Sequence, residues 1–112
     1  MTPVQCVEEQ FAAYNDRDLG RFLACFADDV RAIRLPEMVT TLEGKAAYSA
    51  FYSKERFAHA GLRAELLNRL VIGNKVVDHE LIHGLGPEPI ETAVMFVVVD
   101  GLITTTFSIP PK

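Results

Sequence analysis

Apolar residues recur at helical spacing over the first half of the chain and at strand-like spacing over the second. Val4, Val7, Phe11 and Tyr14 fall three and four apart, which puts them on one helical face ending near Asn15. Thr2 is placed to cap that helix, Pro3 suits its first turn, and Gln5 completes a capping box. A second, short helix is expected after Asp18, with Leu19, Phe22, Leu23 and Phe26 turned inward and Asp28-Asp29 ending it. Val30 to Leu35 reads as a strand closed by Pro36, and residues 36–43 as a connection with a short strand at Val39 to Leu42. Gly44 opens a third helix through Tyr48, Phe51, Tyr52 and Phe57, which His59-Ala60-Gly61 ends.

From Leu62 onward the pattern is that of strands. Leu62 to Ile72 and Lys75 to His83 flank Gly73-Asn74, and Ile90 to Val99 and Leu102 to Ile109 flank Asp100-Gly101. Both dipeptides are two-residue hairpin signals, because they tolerate the positive φ that such turns require. The expected class is α+β: three N-terminal helices packed on one face of a curved, mainly antiparallel sheet. With a two-residue loop at Gly73-Asn74, Arg69 lies opposite Asp78, Asn68 opposite His79, Leu67 opposite Glu80 and Leu66 opposite Leu81. One face then carries Arg69, Asp78, Glu80, Leu67, Val76 and Ile82, and the other Asn68, His79, His83, Leu66, Leu70, Val77 and Leu81. In the second hairpin Val94, Phe96, Val98, Ile103, Thr105 and Phe107 share a face, and Ala93, Met95, Val97, Thr104 and Thr106 share the other. Both faces are apolar enough to be covered: one by the helices, the other most simply by a second copy of the chain.

Composition narrows the function classes. The chain has 112 residues, 49% hydrophobic and 23% charged, which suits one globular domain over residues 1–112. A net charge of −4 with scattered Lys and Arg argues against nucleic acid as a partner. No apolar run approaches a membrane span, and the N-terminal residues carry no basic region or apolar core of a secretory leader. Cys6 and Cys25 do not make a disulfide framework, so a reduced, cytoplasmic protein is expected.

Several segments together point to a family. Asn15-Asp16-Arg17-Asp18-Leu19 before Phe26-Ala27-Asp28-Asp29-Val30 resembles the opening of the NTF2-like superfamily, in its small SnoaL-like and ketosteroid-isomerase-like bacterial branch. Leu42-Glu43-Gly44-Lys45-Ala46-Ala47 looks like that branch's entry to the third helix. Asn68-Arg69, Gly73-Asn74, Val77-Asp78-His79-Glu80 and Asp100-Gly101-Leu102-Ile103 continue the likeness over nearly the whole chain. The resemblance implies a cone of three helices against a strongly curved sheet around a mostly apolar pocket, often as a homodimer through the outer sheet face. It carries little about activity, since the fold hosts many chemistries. Ketosteroid isomerases use a carboxylate base with Tyr and protonated Asp donors. Alignment on Asn15 and Phe26-Ala27-Asp28-Asp29 puts that base near Arg34 and that Tyr near Gln10, so ketosteroid isomerase activity is not carried over.

The expected function is binding of a small, largely apolar molecule in the cone, with proton transfer (isomerisation, cyclisation, dehydration or epoxide opening) as its catalytic form. Asp78 is the candidate base, with Glu80 and Arg69 as tuning partners, because clustered carboxylates beside a cation have separated pKa values. The plainer reading of the same residues is a cross-strand ion pair. Tyr14 is a candidate donor or a core tyrosine. Arg34 either meets an anionic ligand or pairs with Asp29 or Glu37. His79 is a candidate ligand contact, and with His83 and the distant His59 falls short of a metal site. Phe11, Phe51 and Tyr52 are candidate pocket walls. No cofactor or metal is expected. The alternatives are a non-catalytic homodimeric module with a filled core, and a protein-binding subunit.

Overall fold

A computed structural model describes residues 1–112. The elements run α1 (Pro3–Asn15), α2 (Leu19–Leu23), β1 (Phe26–Arg34), β2 (Val39–Glu43), α3 (Lys45–Glu55), β3 (Arg63–Ile72), β4 (Lys75–His83), β5 (Ile90–Val99) and β6 (Leu102–Ile109). The six strands form one sheet in the order β2-β1-β6-β5-β4-β3. Every neighbouring pair is antiparallel except β1 with β6.

The first helix starts as its sequence dictates. Thr2 Oγ1 accepts from the Gln5 amide at 3.1 Å and Gln5 Oε1 accepts from the Thr2 amide at 2.9 Å, so two otherwise orphaned donors are satisfied. The second helix differs from expectation at its end. It stops at Leu23, and Phe26 is the first residue of β1, with Asp28 and Asp29 exposed inside that strand. Phe26 is still buried, because a strand residue next to the helix end can fill the same space. Phe57 packs on the core beyond the end of α3.

The strand faces are set by alternation and then reset by bulges. Along β4, Val76, Asp78, Glu80 and Ile82 are buried while Val77, His79, Leu81 and His83 are partly exposed. Arg69 pairs with Asp78 and Asn68 with His79, as the hairpin loop requires. Beyond them an extra residue, Leu67, shifts the register by one, so Leu66 pairs with Glu80 and Ala64 with Ile82. Leu67 therefore does not oppose Glu80, nor Leu66 Leu81. The shift turns Ala64 into the core, where Asn15 brackets it: Asn15 Nδ2 donates to the Ala64 carbonyl at 3.0 Å, and the Ala64 amide donates to Asn15 Oδ1 at 2.7 Å. The end of α1 is thereby tied to the outermost strand.

A second bulge at Thr104 corrects the other hairpin. Val98 pairs with Ile103, but Val97 pairs with Thr105 and Phe96 with Thr106. Thr106 and Ser108 consequently share the inner face with Val94, Phe96 and Val98, and Thr105 and Phe107 turn outward. Two further irregularities lie in β1, between Ala32 and Ile33 where it meets β2 and between Phe26 and Arg31 where it meets β6. Bulges bend and twist the strands that contain them, and together these curl the sheet around α1.

Sixteen buried residues form the core between the helices and the concave sheet face, including Val7, Phe22, Phe26, Val30, Tyr48, Val76 and Ile103. The convex face carries Val77, Leu81, Met95, Val97 and Phe107, none fully buried, with Leu70 and Ile72 well exposed beside them.

Candidate functional site

The concave side is not completely filled. Between α1, α3 and the curled sheet lies a cavity of about 390 Å³, within the range of small-molecule sites. Its walls are apolar where Phe11, Phe51, Tyr52, Ile82, Val94 and Phe96 face it, and polar where Gln10, Tyr14, Glu80, Thr92, Thr106 and Ser108 do. Arg34, Arg56, Pro110 and Pro111 also belong to the lining. Gln10, Tyr14, Glu80 and Thr106 are the most buried polar residues of the lining, while Arg34 and Arg56 are partly exposed and Arg56 stands beside Tyr14.

Strand β4 puts two carboxylates on this inner face, and the structure treats them differently. Asp78 is fully buried and takes a bidentate grip from Arg69, with Nε to Oδ1 at 2.7 Å and Nη2 to Oδ2 at 3.0 Å. Arg69 also lies 3.7 Å from Glu8 on α1. The pair thus joins β3, β4 and α1, and neither residue lines the cavity. Glu80 is 7% exposed and does line it. No ion pair or hydrogen bond from the protein engages its carboxyl group. Burial pushes its pKa up to about 7, the negative charge of Asp78 adds to the rise, and Arg69 opposes it. Near neutrality Glu80 is therefore divided between an acid that can donate and a base that can accept.

Two aromatic hydroxyls, those of Tyr14 and Tyr52, stand near it. Burial raises the Tyr14 pKa while the Arg56 guanidinium opposes the shift, so Tyr14 keeps its proton and remains a donor. Tyr52 is raised by the same cause. The Tyr48 hydroxyl is committed to Thr106 at 2.8 Å. Rings of Tyr14, Phe22, Tyr52 and Phe57 pack at centroid distances of 4.7–6.3 Å and fix the helical side of the chamber.

The remaining sequence candidates divide cleanly. Phe11, Phe51, Tyr52, Tyr14, Glu80 and Arg34 come together at the cavity. Arg34 is held by Glu37 at 2.9 Å and donates to the Lys112 carbonyl. His79 sits on the convex face, 2.6 Å from Glu91, away from the cavity. His83 pairs with Glu65 at 2.9 Å. No group of three or more His, Cys, Asp or Glu side chains converges as a metal site would require. Cys6 and Cys25 are buried free thiols, and burial raises the Cys25 pKa to about 11, which makes it a poor nucleophile.

Some lining residues escaped the sequence reading. Gln10 carried a signal, since a polar residue between Val7 and Tyr14 sits on the apolar helix face. Its Oε1 is buried with no hydrogen-bond partner. Arg56 follows the end of α3, where periodicity gives no direction. Thr106 and Ser108 enter the chamber only because Thr104 is a bulge.

The same fold recurs among solved structures. A Kribbella flavida protein provisionally named a ketosteroid isomerase superposes with TM-score 0.82 at 24% identity, over 96% of this chain and 76% of that one. A computationally designed binder of 17-OHP gives 0.81 at 19% identity, over 96% and 93%. A Sinorhizobium meliloti protein provisionally named a polyketide cyclase gives 0.79 at 23% identity, over 93% of each chain. At these identities the likeness concerns the fold. No curated protein matches the chain. No helix is long and apolar enough to cross a membrane. The SnoaL-like domain model matches residues 7–106, which span both the helical layer and the sheet that enclose the cavity, so the chain belongs to the SnoaL-like family.

Proposed function

We propose that this protein binds a small, largely apolar molecule in the cavity and that Glu80 moves a proton on it, with Tyr14 as a hydrogen-bond donor to the developing negative charge. The observation that carries the reading is Glu80 itself: a buried carboxyl group in a cavity wall, unpaired, and with a pKa near the operating pH of a general acid or base. The sequence alone favours Asp78 as the base, but its two oxygens are occupied by Arg69 and it does not line the cavity. Asp78 and Arg69 act in this reading as positioning residues that set the field at Glu80. An apolar chamber with few polar groups suits isomerisation, cyclisation, dehydration or epoxide opening. The names of proteins with this fold, a designed 17-OHP binder and a provisional polyketide cyclase, support a small-molecule role.

The test is a panel of small enones, lactones and epoxides incubated in D₂O, with turnover and C–H exchange followed by NMR. Wild type should exchange or convert at least one of them, and Glu80→Gln should slow this by roughly 10²–10⁴-fold. Equal rates in the two proteins would remove Glu80 from the chemistry. Binding without turnover would leave a carrier rather than an enzyme.

We also propose that the convex face is covered by a second copy of the chain. Val77, Leu81, Met95, Val97 and Phe107 support this, as a contiguous apolar surface on a sheet face that no helix covers. Sedimentation should give a dimer, and Met95→Lys should yield a folded monomer; a monomeric wild type at micromolar concentration refutes it.

A further inference from the structure

Several polar groups of the cavity wall are already taken within the protein, and three donors are not. We infer that Tyr14, Tyr52 and Arg56 form a three-donor site for an oxyanion, and that the substrate is a carbonyl compound whose oxygen takes up negative charge there while Glu80 removes a proton from a neighbouring carbon. This rests on the reading of Glu80 as the group that moves the proton, and it adds Tyr52 and Arg56 to Tyr14 as catalytic residues.

The state of each donor carries the inference. Thr106 is taken by Tyr48, Thr92 by the Ile109 carbonyl and Arg34 by Glu37. The Tyr14 and Tyr52 hydroxyls donate to no group of the protein, and both residues line the cavity. Their oxygens are not sealed in, since the one buried side-chain polar atom without a partner is Gln10 Oε1. Burial keeps both phenols protonated. Arg56 makes no ion pair. Its Nη1 reaches the Glu55 carbonyl at 3.3 Å and its guanidinium lies 4.9 Å from the centre of the Phe51 ring, which leaves most of its five N–H donors unused.

The donors also stand together. The Arg56 guanidinium is beside the Tyr14 hydroxyl, and its charge acts on the Tyr52 hydroxyl as well. The Tyr14 and Tyr52 rings meet edge-on at 6.3 Å, and Phe22 holds both, at 6.0 Å from Tyr14 and 4.7 Å from Tyr52. Aromatic packing thus fixes the phenols before a substrate arrives, which is the condition for stabilising charge without reorganisation. Glu80 acts on the same two hydroxyls. A substrate that meets the phenols with its oxygen can therefore offer a nearby C–H bond to Glu80.

The step balances within the site. The Glu80 carboxylate takes the proton, the C–H electron pair becomes a C=C bond, and the carbonyl π pair passes to oxygen. The enolate oxygen then accepts from two phenols beside a permanently charged guanidinium. Return of the proton from Glu80, to the same carbon or to a conjugated one, restores the base and leaves an exchanged or isomerised product. A fixed cation with two neutral donors matches an oxygen that becomes anionic and stays unprotonated.

Phenols probe this site without turnover. Para-nitrophenol, para-cyanophenol and para-cresol present the same oxygen with falling acidity, and para-nitrotoluene a similar body with no acidic hydroxyl. Calorimetry on wild type should find para-nitrophenol tightest and para-nitrotoluene weakest. The phenolate absorption band of bound para-nitrophenol should appear at a pH where the free compound is mostly neutral. Tyr52→Phe, which keeps the ring packing, and Arg56→Gln should each weaken para-nitrophenol about tenfold or more while moving para-nitrotoluene by about twofold or less. Arg56→Lys should restore part of the loss because it keeps the charge. Glu80→Gln should bind para-nitrophenol at least as tightly as wild type, since no carboxylate then opposes the phenolate. In D₂O, Tyr52→Phe and Arg56→Gln should slow C–H exchange of the enones through kcat, with KM little changed. Equal wild-type affinity for para-nitrophenol and para-nitrotoluene would overturn the oxyanion site and leave the Glu80 reading standing. Turnover of epoxides in place of enones would overturn the carbonyl substrate in the same way. Failure of all four probes to bind would overturn both the oxyanion site and the cavity as a small-molecule site.

Discussion

Asp78 and Glu80 stand two residues apart on the same face of β4, and only the first has a counter-ion. Arg69 closes on Asp78 through two bonds of 2.7 and 3.0 Å, while Glu80 faces the cavity with no partner. One strand thus holds a carboxylate bound in an ion pair and a carboxyl group left free in the cavity wall. The difference comes from β3: Arg69 lies directly across from Asp78, whereas the residue across from Glu80 is Leu66.

The unpaired carboxyl group makes stability depend on pH in a definite direction. Its folded-state pKa of about 7 lies above its ordinary value of 4.5, so the folded state holds the proton more tightly than the unfolded state. Between those two values the unfolded chain binds fewer protons, and folding stability falls as pH rises. Glu80→Gln removes this loss. The stability of Glu80→Gln relative to wild type should therefore grow from pH 5 to pH 8, by about 3 kcal/mol at most. Urea unfolding at the two pH values measures it; a constant difference would mean that Glu80 titrates normally.

Removing the charge of Asp78 strands Arg69 in a site that is mostly buried. Asp78→Asn should cost about 3–5 kcal/mol in urea unfolding. The same substitution withdraws a negative neighbour from Glu80 and leaves a positive one, so the Glu80 pKa should fall toward 4.5. A ¹³C-carboxyl NMR titration reads this directly. An unmoved Glu80 titration would show that Asp78 supports the fold without setting the field in the cavity.

The Thr104 bulge brings the Thr106 hydroxyl to the buried Tyr48 hydroxyl at 2.8 Å. Thr106→Val leaves that phenol without a partner and should destabilise the protein by about 1–3 kcal/mol. Adding Tyr48→Phe removes the stranded group, so the double variant should lose less than the two single losses added together. Additive losses in a double-mutant cycle would show that the two hydroxyls do not depend on each other.

How much of this was legible in the chain varies with the distance over which each feature is decided. The capping box at Thr2 and Gln5, the four strands after Leu62 and the shared face of Asp78 and Glu80 are local. They follow from capping chemistry, turn residues and a two-residue period, none of which needs the rest of the molecule. The end of α2 is less local, because Phe26 is buried equally well at the close of a helix or the opening of a strand.

The bulges could not be read at all. Sequence pairs Leu67 with Glu80 and puts Phe107 on the same face as Val94, Phe96 and Val98, since an uninterrupted hairpin is the simplest register. The fold inserts Leu67 and Thr104 as extra residues, because a sheet that must curl around α1 has to lengthen one strand against its neighbour. That choice places Ala64 against Asn15 and turns Thr106 and Ser108 into the chamber. The sequence by itself determined the elements and put both carboxylates on one strand face. Only the tertiary structure decided which of them faces the cavity unpaired, because that depends on where β3 bends and on what α1 and α3 leave unfilled.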